Sequence, residues 1–246
     1  MRSFFFLVLI LFAAAFASCE DKNSSKQNKV ETVLKEPAQP DSLNENNTNV
    51  KDVEPKADME KQEGPLLVQE KFIPFMMKYG KEHQENKVRI KTRFGNIDVE
   101  LFRDTPLHRA NFLFLVNHNY FDKTFFHRVS ENFVIQGGNS DLPGTNKKRH
   151  HIGNYLIPSE FDAGHKHVRG ALAAAKYAKQ NVSKASSPYE FYIVQSHRGA
   201  HHLDNEHTVF GRVIDGMDVV DSISKVPVDG SEWPIQNIYI NTEIME

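Results

Sequence analysis

The side chains that could do chemistry in this chain are a single cysteine, two histidine pairs, a short basic run and one arginine set among apolar residues. Cys19 is the only cysteine in 246 residues, which excludes an internal disulfide framework and any CxxC metal or redox motif. His150-His151 and His201-His202 invite a metal reading. Adjacent side chains diverge on most backbones, and no cysteine is at hand as a soft ligand, so we read both pairs as loop residues with no metal. Lys147-Lys148-Arg149 reads as a solvated loop rather than a nucleic-acid patch. Arg128 lies in the run Phe126-His127-Arg128, with Phe133 and Gln136-Gly137-Gly138 following. A guanidinium stays charged and presents a rigid fork of donors. On residue type alone, Arg128 reads as a surface arginine paired with a carboxylate.

These groups need elements to position them. Apolar residues at Leu67, Val68, Phe72, Phe75, Met76 and Tyr79 suit a helix face ending at Gly80, with Pro74 kinking or shortening it. Val88, Ile90 and Thr92 alternate with basic residues, and Ile97, Val99 and Leu101 with Asp98 and Glu100. Gly95-Asn96 between the two runs reads as a hairpin turn. Asp104-Thr105-Pro106 places an N-cap before a helix that runs to about His118. Strands are expected at 124–129, 133–136, 170–174, 190–195, 208–214 and 235–241, and a second helix at 217–223. Many short strands with two separated helices suggest an antiparallel barrel or sandwich under helical covers.

The average composition, 39% hydrophobic with a net charge of −2, conceals three unlike segments. A mean hydropathy of −0.51 excludes a multi-span membrane protein, and the near-zero charge argues against nucleic-acid binding. Residues 1–18 carry Arg2 and then a fourteen-residue apolar run, Phe4–Ala17. That is short of the about 20 residues a helix needs to span a bilayer core, and it fits a secretory signal peptide. Ala17-Ser18-Cys19 resembles a bacterial lipobox, which would place a lipid anchor on Cys19, although Phe16 stands where that pattern usually has Leu. A plain signal peptide with an incidental cysteine is the alternative. Residues 20–63 have no Phe, Trp, Tyr, Ile or Gly, and carry eleven acids against seven lysines. They cannot bury enough apolar surface to offset ordering entropy, so a disordered acidic linker is expected from Cys19 to residue 63. The tripeptides at Asn23, Asn46 and Asn181 that fit the glycosylation pattern read as chance. Residues 64–86 form a helical extension, and residues 87–246 a single folded domain.

The stretch Tyr120–Asp141 resembles the signature of the cyclophilin-type peptidyl-prolyl isomerases, carried by Phe126-His127-Arg128, Phe133 and Gln136-Gly137-Gly138. "DTPLHRANFL", "GALAAA", "EFYIV" and "LDNEHTVFGRVIDGMDVVDSI" resemble other segments of the family in the family's order. The resemblance covers about residues 87–246. It implies a mainly β fold, an eight-stranded antiparallel barrel closed by two α-helices. It implies an isomerase that rotates X–Pro bonds and needs no cofactor, nucleophile or metal. It makes Arg128 the donor to the imide nitrogen, Gln136 the group that bonds substrate backbone and steadies the arginine, and Phe133 the pocket floor. Val134, Tyr192, Leu203 and His207 would complete the pocket, and Ala175, Lys176 and Glu190 would line the peptide groove. A pocket using Phe133, Val134 and Gln136 together needs a local bend, because strand alternation separates them. Alternation also places Tyr192 with Glu190 and turns Phe191 inward.

Several positions depart from the common pattern. Val134 replaces Met, Asn139 an acid, Glu190 a Gln and Lys176 an Asn. If Glu190 and Lys176 face each other, they form an ion pair in the groove. His202 stands where cyclosporin-sensitive members have Trp, which implies weak cyclosporin binding. The sequence therefore reads as a monomeric isomerase acting on proline-containing polypeptides. Its expected site is the bacterial cell envelope, on the periplasmic or outer-membrane face, held by lipid on Cys19. A non-catalytic peptide-binding or chaperone module is the alternative. Residues 64–86 are expected either to dock on the barrel or to enter the groove through Ile73-Pro74.

Overall fold

A computed structural model describes residues 66–177 and 183–246. Cys19, the apolar leader, the acidic linker and the tripeptides at Asn23, Asn46 and Asn181 lie outside them. The element order is β1 (Leu67–Val68), α1 (Gln69–Glu82), β2 (Lys87–Thr92), β3 (Gly95–Leu101), α2 (Pro106–Asn117), β4 (Thr124–Ser130) and β5 (Val134–Asn139). It continues with α3 (Pro143–Ile152), β6 (Gly153–Asn154), β7 (Ala171–Ala174), β8 (Phe191–Val194), β9 (Val209–Asp215), α4 (Met217–Ser224) and β10 (Tyr239–Ile244). Eight strands form a closed antiparallel barrel in the order β10-β2-β3-β9-β7-β8-β5-β4. The two-residue strands β1 and β6 pair in parallel beside it. Among the described residues no helix is long and apolar enough to cross a membrane.

Alternation builds the interior as the sequence pattern requires. Val88 and Ile90 of β2, and Ile97, Val99 and Leu101 of β3, are buried with Phe126, Ile135, Leu172, Phe191 and Ile193. Asp98 of β3 faces the other way and is covered there, held by two 2.7 Å bonds from its cross-strand partner Arg89. α2 packs against β9 and β10, and α4 against β3, β4 and β5.

The hairpin turn differs from expectation by two residues. Thr92 pairs directly with Gly95, so the turn residues are Arg93-Phe94. The Thr92 hydroxyl accepts the Phe94 N–H and donates to the Gly95 carbonyl, each at 3.0 Å, which closes the turn early. The N-cap of α2 also differs. Neither Asp104 nor Thr105 caps it; the Glu160 carboxylate, from a distant loop, takes the N–H groups of Leu107 and His108 at 2.9 and 3.0 Å. Asp104 instead meets His165.

The basic run and His150-His151 form part of a helix, α3, rather than a loop. Pro143 at its first turn is preset for helical φ. Lys148 then donates to three carbonyls, of Asn119, Tyr120 and Asp122.

The segment before the barrel docks on it, over α2. Phe72 and Met76 of α1 are fully buried, Phe72 stacks on Tyr155, and Phe75 and Tyr79 meet Phe114 of α2 edge-on. Ile73 is 45% exposed. Pro74 lies inside α1 without ending it, and the helix runs past Gly80 to Glu82. Gly80 serves as a contact point: a Cβ there would lie 3.2 Å from the Ala110 Cβ. Covered by α1 on one side and the barrel on the other, α2 is buried continuously from His108 to Val116. Its polar residues are therefore paired inside. Arg109 donates to the carbonyls of Gly80, His83 and Glu85, closing the end of α1, and Asn111 donates to Pro188. Phe72→Ala is expected to destabilise the fold by about 3–5 kcal/mol in a chemical denaturation experiment. A loss below about 1 kcal/mol would mean that α1 is not part of the cooperative unit.

Candidate active site

Strand register assembles one row of side chains across four neighbouring strands. Arg128 of β4 pairs with Gln136 of β5, Gln136 with Tyr192 of β8, and Tyr192 with Ala173 of β7. Directly paired residues share a face. Because Phe191 turns into the barrel, this row lies outside. Val134, Ala173, Ala175, Tyr192, Val194, Ala200 and Val209 form a second apolar cluster there, with Phe133 and Leu203 packed on it.

The bend that this pocket needs lies at the start of β5. Phe133 sits just before the strand, in a turn where its N–H donates to Ser130 and Asn132 takes a left-handed φ of 61°. Its carbonyl accepts the N–H groups of Gln195 and Ser196. Val134 and Gln136 then follow on one face by simple alternation. Gly138, with φ 94°, serves a different purpose: a Cβ there would lie 2.2 Å from the Tyr189 carbonyl oxygen.

Arg128 is held from outside the motif. Its Nε donates to Glu232 at 2.7 Å, and its guanidinium carbon lies 5.6 Å from the centre of the Phe133 ring. Glu232 also accepts from the Ser130 hydroxyl at 2.7 Å, and that bond together with Arg128 holds its carboxyl below the usual range. The expectation that Gln136 steadies Arg128 is not met. The Gln136 amide donates to Glu190 at 3.1 Å and lies 3.5 Å from His127.

Glu190 and Lys176 do not pair either. Lys176 meets Glu206 at 3.2 Å, and Glu206 also binds Lys184. Glu190 meets Arg149 of α3 at 3.1 Å, with His127 at 3.6 Å. Arg149 is itself fixed by the Tyr120 hydroxyl and the Gly138 carbonyl. A buried carboxylate left alone would be costly, and the arginine supplies its counter-charge.

At the other end, His207 Nδ1 donates to the Ala174 carbonyl at 3.0 Å, and its ring meets Tyr192 edge-on at 5.5 Å. Burial lowers the His207 pKa, favouring the neutral ring. Leu203 ends a tight turn, His201–Leu203, and His202 of that turn stacks on Phe133 at 5.4 Å. Among the described residues no group of three His, Cys, Asp and Glu side chains is gathered around a metal position.

These contacts thus join Arg128, Phe133, Val134, Gln136, Ala175, Glu190, Tyr192, Leu203 and His207 into one cluster on the outer face of the barrel. Lys176 adjoins them through Glu206. Sequence reasoning missed Glu232, Arg149 and His127 as partners in this site. His127 lies inside the motif itself, whereas Glu232 is 104 residues from Arg128 and Arg149 is 41 from Glu190.

Burial alone would raise the Glu190 carboxyl, but His127 and Arg149 together bring it below its ordinary value of 4.5. The ion pair therefore contributes its full stability above pH 4.5 and loses it as pH falls through the lower folded value. In denaturation midpoints taken between about pH 3 and 6, Glu190→Gln is expected to flatten the acid side of the profile relative to the native chain. Parallel profiles would show that the pair is not linked to folding.

Residues 87–244 match the family model of the cyclophilin type peptidyl-prolyl cis-trans isomerases. The chain is 38% identical over 164 residues to a peptidyl-prolyl cis-trans isomerase-like 2 of Rhizopus delemar, covering 66% of this chain and 29% of that one. It is 36% identical over 158 residues to a peptidyl-prolyl cis-trans isomerase-like 3 of Dictyostelium discoideum, covering 63% of this chain and 92% of that one. A cyclophilin type isomerase of Cryptosporidium parvum, solved in the presence of the dipeptide Ala-Pro, superposes with a TM-score of 0.55 at 29% identity, over 65% of this chain and 99% of that one. With the closed barrel and the Arg128–Gln136–Tyr192 row in the same segment, the chain belongs to the cyclophilin-type peptidyl-prolyl cis-trans isomerase family.

Proposed function

We propose that this chain catalyses cis–trans rotation of X–Pro bonds in polypeptides, with Arg128 as the donor to the imide nitrogen, Phe133 as the pocket floor and Gln136 as a group that bonds substrate backbone. The observation that carries this reading is the joining of one fixed cationic donor, Arg128, to an apolar pocket of Phe133, Val134, Tyr192 and Leu203. Rotation of the planar bond is opposed by about 18–20 kcal/mol of barrier from amide resonance. Twisting removes that resonance and makes the imide nitrogen more basic. A donor placed near the nitrogen therefore favours the twisted state over the planar one, which is differential binding. Phe133 and the aliphatic wall hold the proline ring while Gln136 and the groove hold the flanking backbone. Glu232 keeps the guanidinium in place through Nε. The Ala-Pro dipeptide present with the Cryptosporidium relative is a ligand of the class this pocket fits.

In a protease-coupled assay on an X–Pro peptide, the native chain is expected to accelerate exchange. Arg128→Ala should lower kcat/KM about a hundredfold or more. No acceleration by the native chain would overturn this reading; if peptide binding persisted, the chain would be a binding module without turnover.

We further propose that the domain works on the extracytoplasmic side of a bacterial membrane, tethered by lipid on Cys19 through the acidic segment. The support is the short apolar run that ends at Ala17, two residues before the only cysteine. Acyl chains add about 0.8 kcal/mol per buried CH₂, so several anchor firmly. Mass spectrometry of the mature protein should find an acylated Cys19 at its N-terminus; an unmodified N-terminus at another residue would refute the anchor.

A further inference from the structure

Behind the pocket wall three side chains join end to end, and the rotation chemistry uses only one of them. His167, in the segment before β7, is fully buried. Its Nδ1 lies 2.8 Å from Asp204 Oδ1, and its Nε2 lies 2.9 Å from the Tyr192 hydroxyl. An ionised carboxylate only accepts, so Nδ1 carries the proton. Nε2 is then an acceptor, and the Tyr192 O–H must donate to it. The two rings lie within 15° of parallel, so this bond also fixes the Tyr192 ring plane.

Asp204 is fixed in turn. It accepts the His167 backbone N–H at 2.9 Å and faces His201 Nδ1 at 3.3 Å and Lys166 Nζ at 4.0 Å. It follows Leu203 directly, so the atom that sets the histidine tautomer also anchors the turn carrying the opposite pocket wall. Burial holds the His167 pKa below its usual value. Burial would raise Asp204, but the bonds from His167 and His201 outweigh it and hold the carboxyl low. Both directions agree with a neutral ring on an ionised acid.

We propose that His167 and Asp204 are positioning residues: through the Tyr192 hydroxyl and the Leu203 turn they hold two walls of the proline pocket in the geometry that receives the ring. This rests on the isomerase reading above. A pocket held in place before binding spends less binding energy on ordering its own side chains. The effect belongs in affinity for the proline peptide, not in the rotation step made at Arg128.

The test uses the full chain. At pH 7 the His167 ring ¹⁵N spectrum should show a protonated Nδ1 and an unprotonated, accepting Nε2; a protonated Nε2 overturns the proposal whatever the activity. Asp204→Asn should raise KM for an X–Pro peptide about five- to tenfold, with kcat changed less than about twofold. In the Tyr192→Phe background the same substitution should have a clearly smaller further effect, because only the route through the Leu203 turn remains. An equal effect in both backgrounds overturns the proposal. Should Asp204→Asn not fold, Tyr192→Phe alone decides: it must raise KM and shift the His167 Nε2 resonance, and failure of either overturns the brace. A native chain without isomerase activity overturns the isomerase reading instead, and the ring spectrum still judges the brace.

Discussion

Strand alternation in a closed barrel governs the rest of this molecule. The inside has room only for packed side chains, and Phe126, Phe191, Ile135 and Ile193 take it up. Every group that meets a ligand must therefore come from the outward positions or from the loops. Two outward neighbours on one strand are two residues apart, and their partners on adjoining strands are set by register. A slip of one residue in β8 would send Tyr192 into the core and Phe191 into the groove. The packing of the interior and the composition of the site are thus one constraint.

The charged groups follow the same logic on the outer face. Three cations of this face each meet a carboxylate: Arg128 meets Glu232, Arg149 meets Glu190, and Lys176 meets Glu206, which it shares with Lys184. Pairing of this kind holds long side chains at the edge of an apolar surface without leaving a bare charge in it. It also separates the groove into a polar end at Glu190 and Gln136 and an apolar end at Tyr192 and Leu203. A carboxylate at position 190 is compatible with this face because α3 brings an arginine to meet it.

The antiparallel strands were legible in the sequence because alternation is short-range order, whereas the eight-stranded barrel and the outward row were implied by the family resemblance. Period-two alternation marks β2 and β3 unaided, and the spacing from Arg128 to Gln136 fits inside one hairpin. Three errors share a cause. The cap on α2 comes from Glu160, the partner of Arg128 is Glu232, and the partner of Glu190 is Arg149; each is a contact between loops or helices far apart in the chain. No local pattern encodes such pairings. α3 was missed for another reason. Its residues, with Gly144 and two histidines, have weak helical preference, and tertiary bonds from Lys148 and Arg149 hold it. The docking of α1 was open to two readings because Ile73-Pro74 is apolar whether it is covered or exposed.

The seam of the barrel has a kinetic meaning. β10 joins β2 on one side and β4 on the other, and the Lys91–Glu243 ion pair on that seam spans 152 residues. Local turns such as Arg93-Phe94 form without reference to the rest of the chain, but the seam requires nearly the whole domain to be gathered first. Long-range closure of this kind slows folding at a given stability, because chain entropy is lost before the contacts are made. Until β10 arrives, β2 and β4 each present an unpaired edge, and such edges invite pairing with other chains. The barrel is thus most exposed to misassociation in the interval before its own last strand is in place.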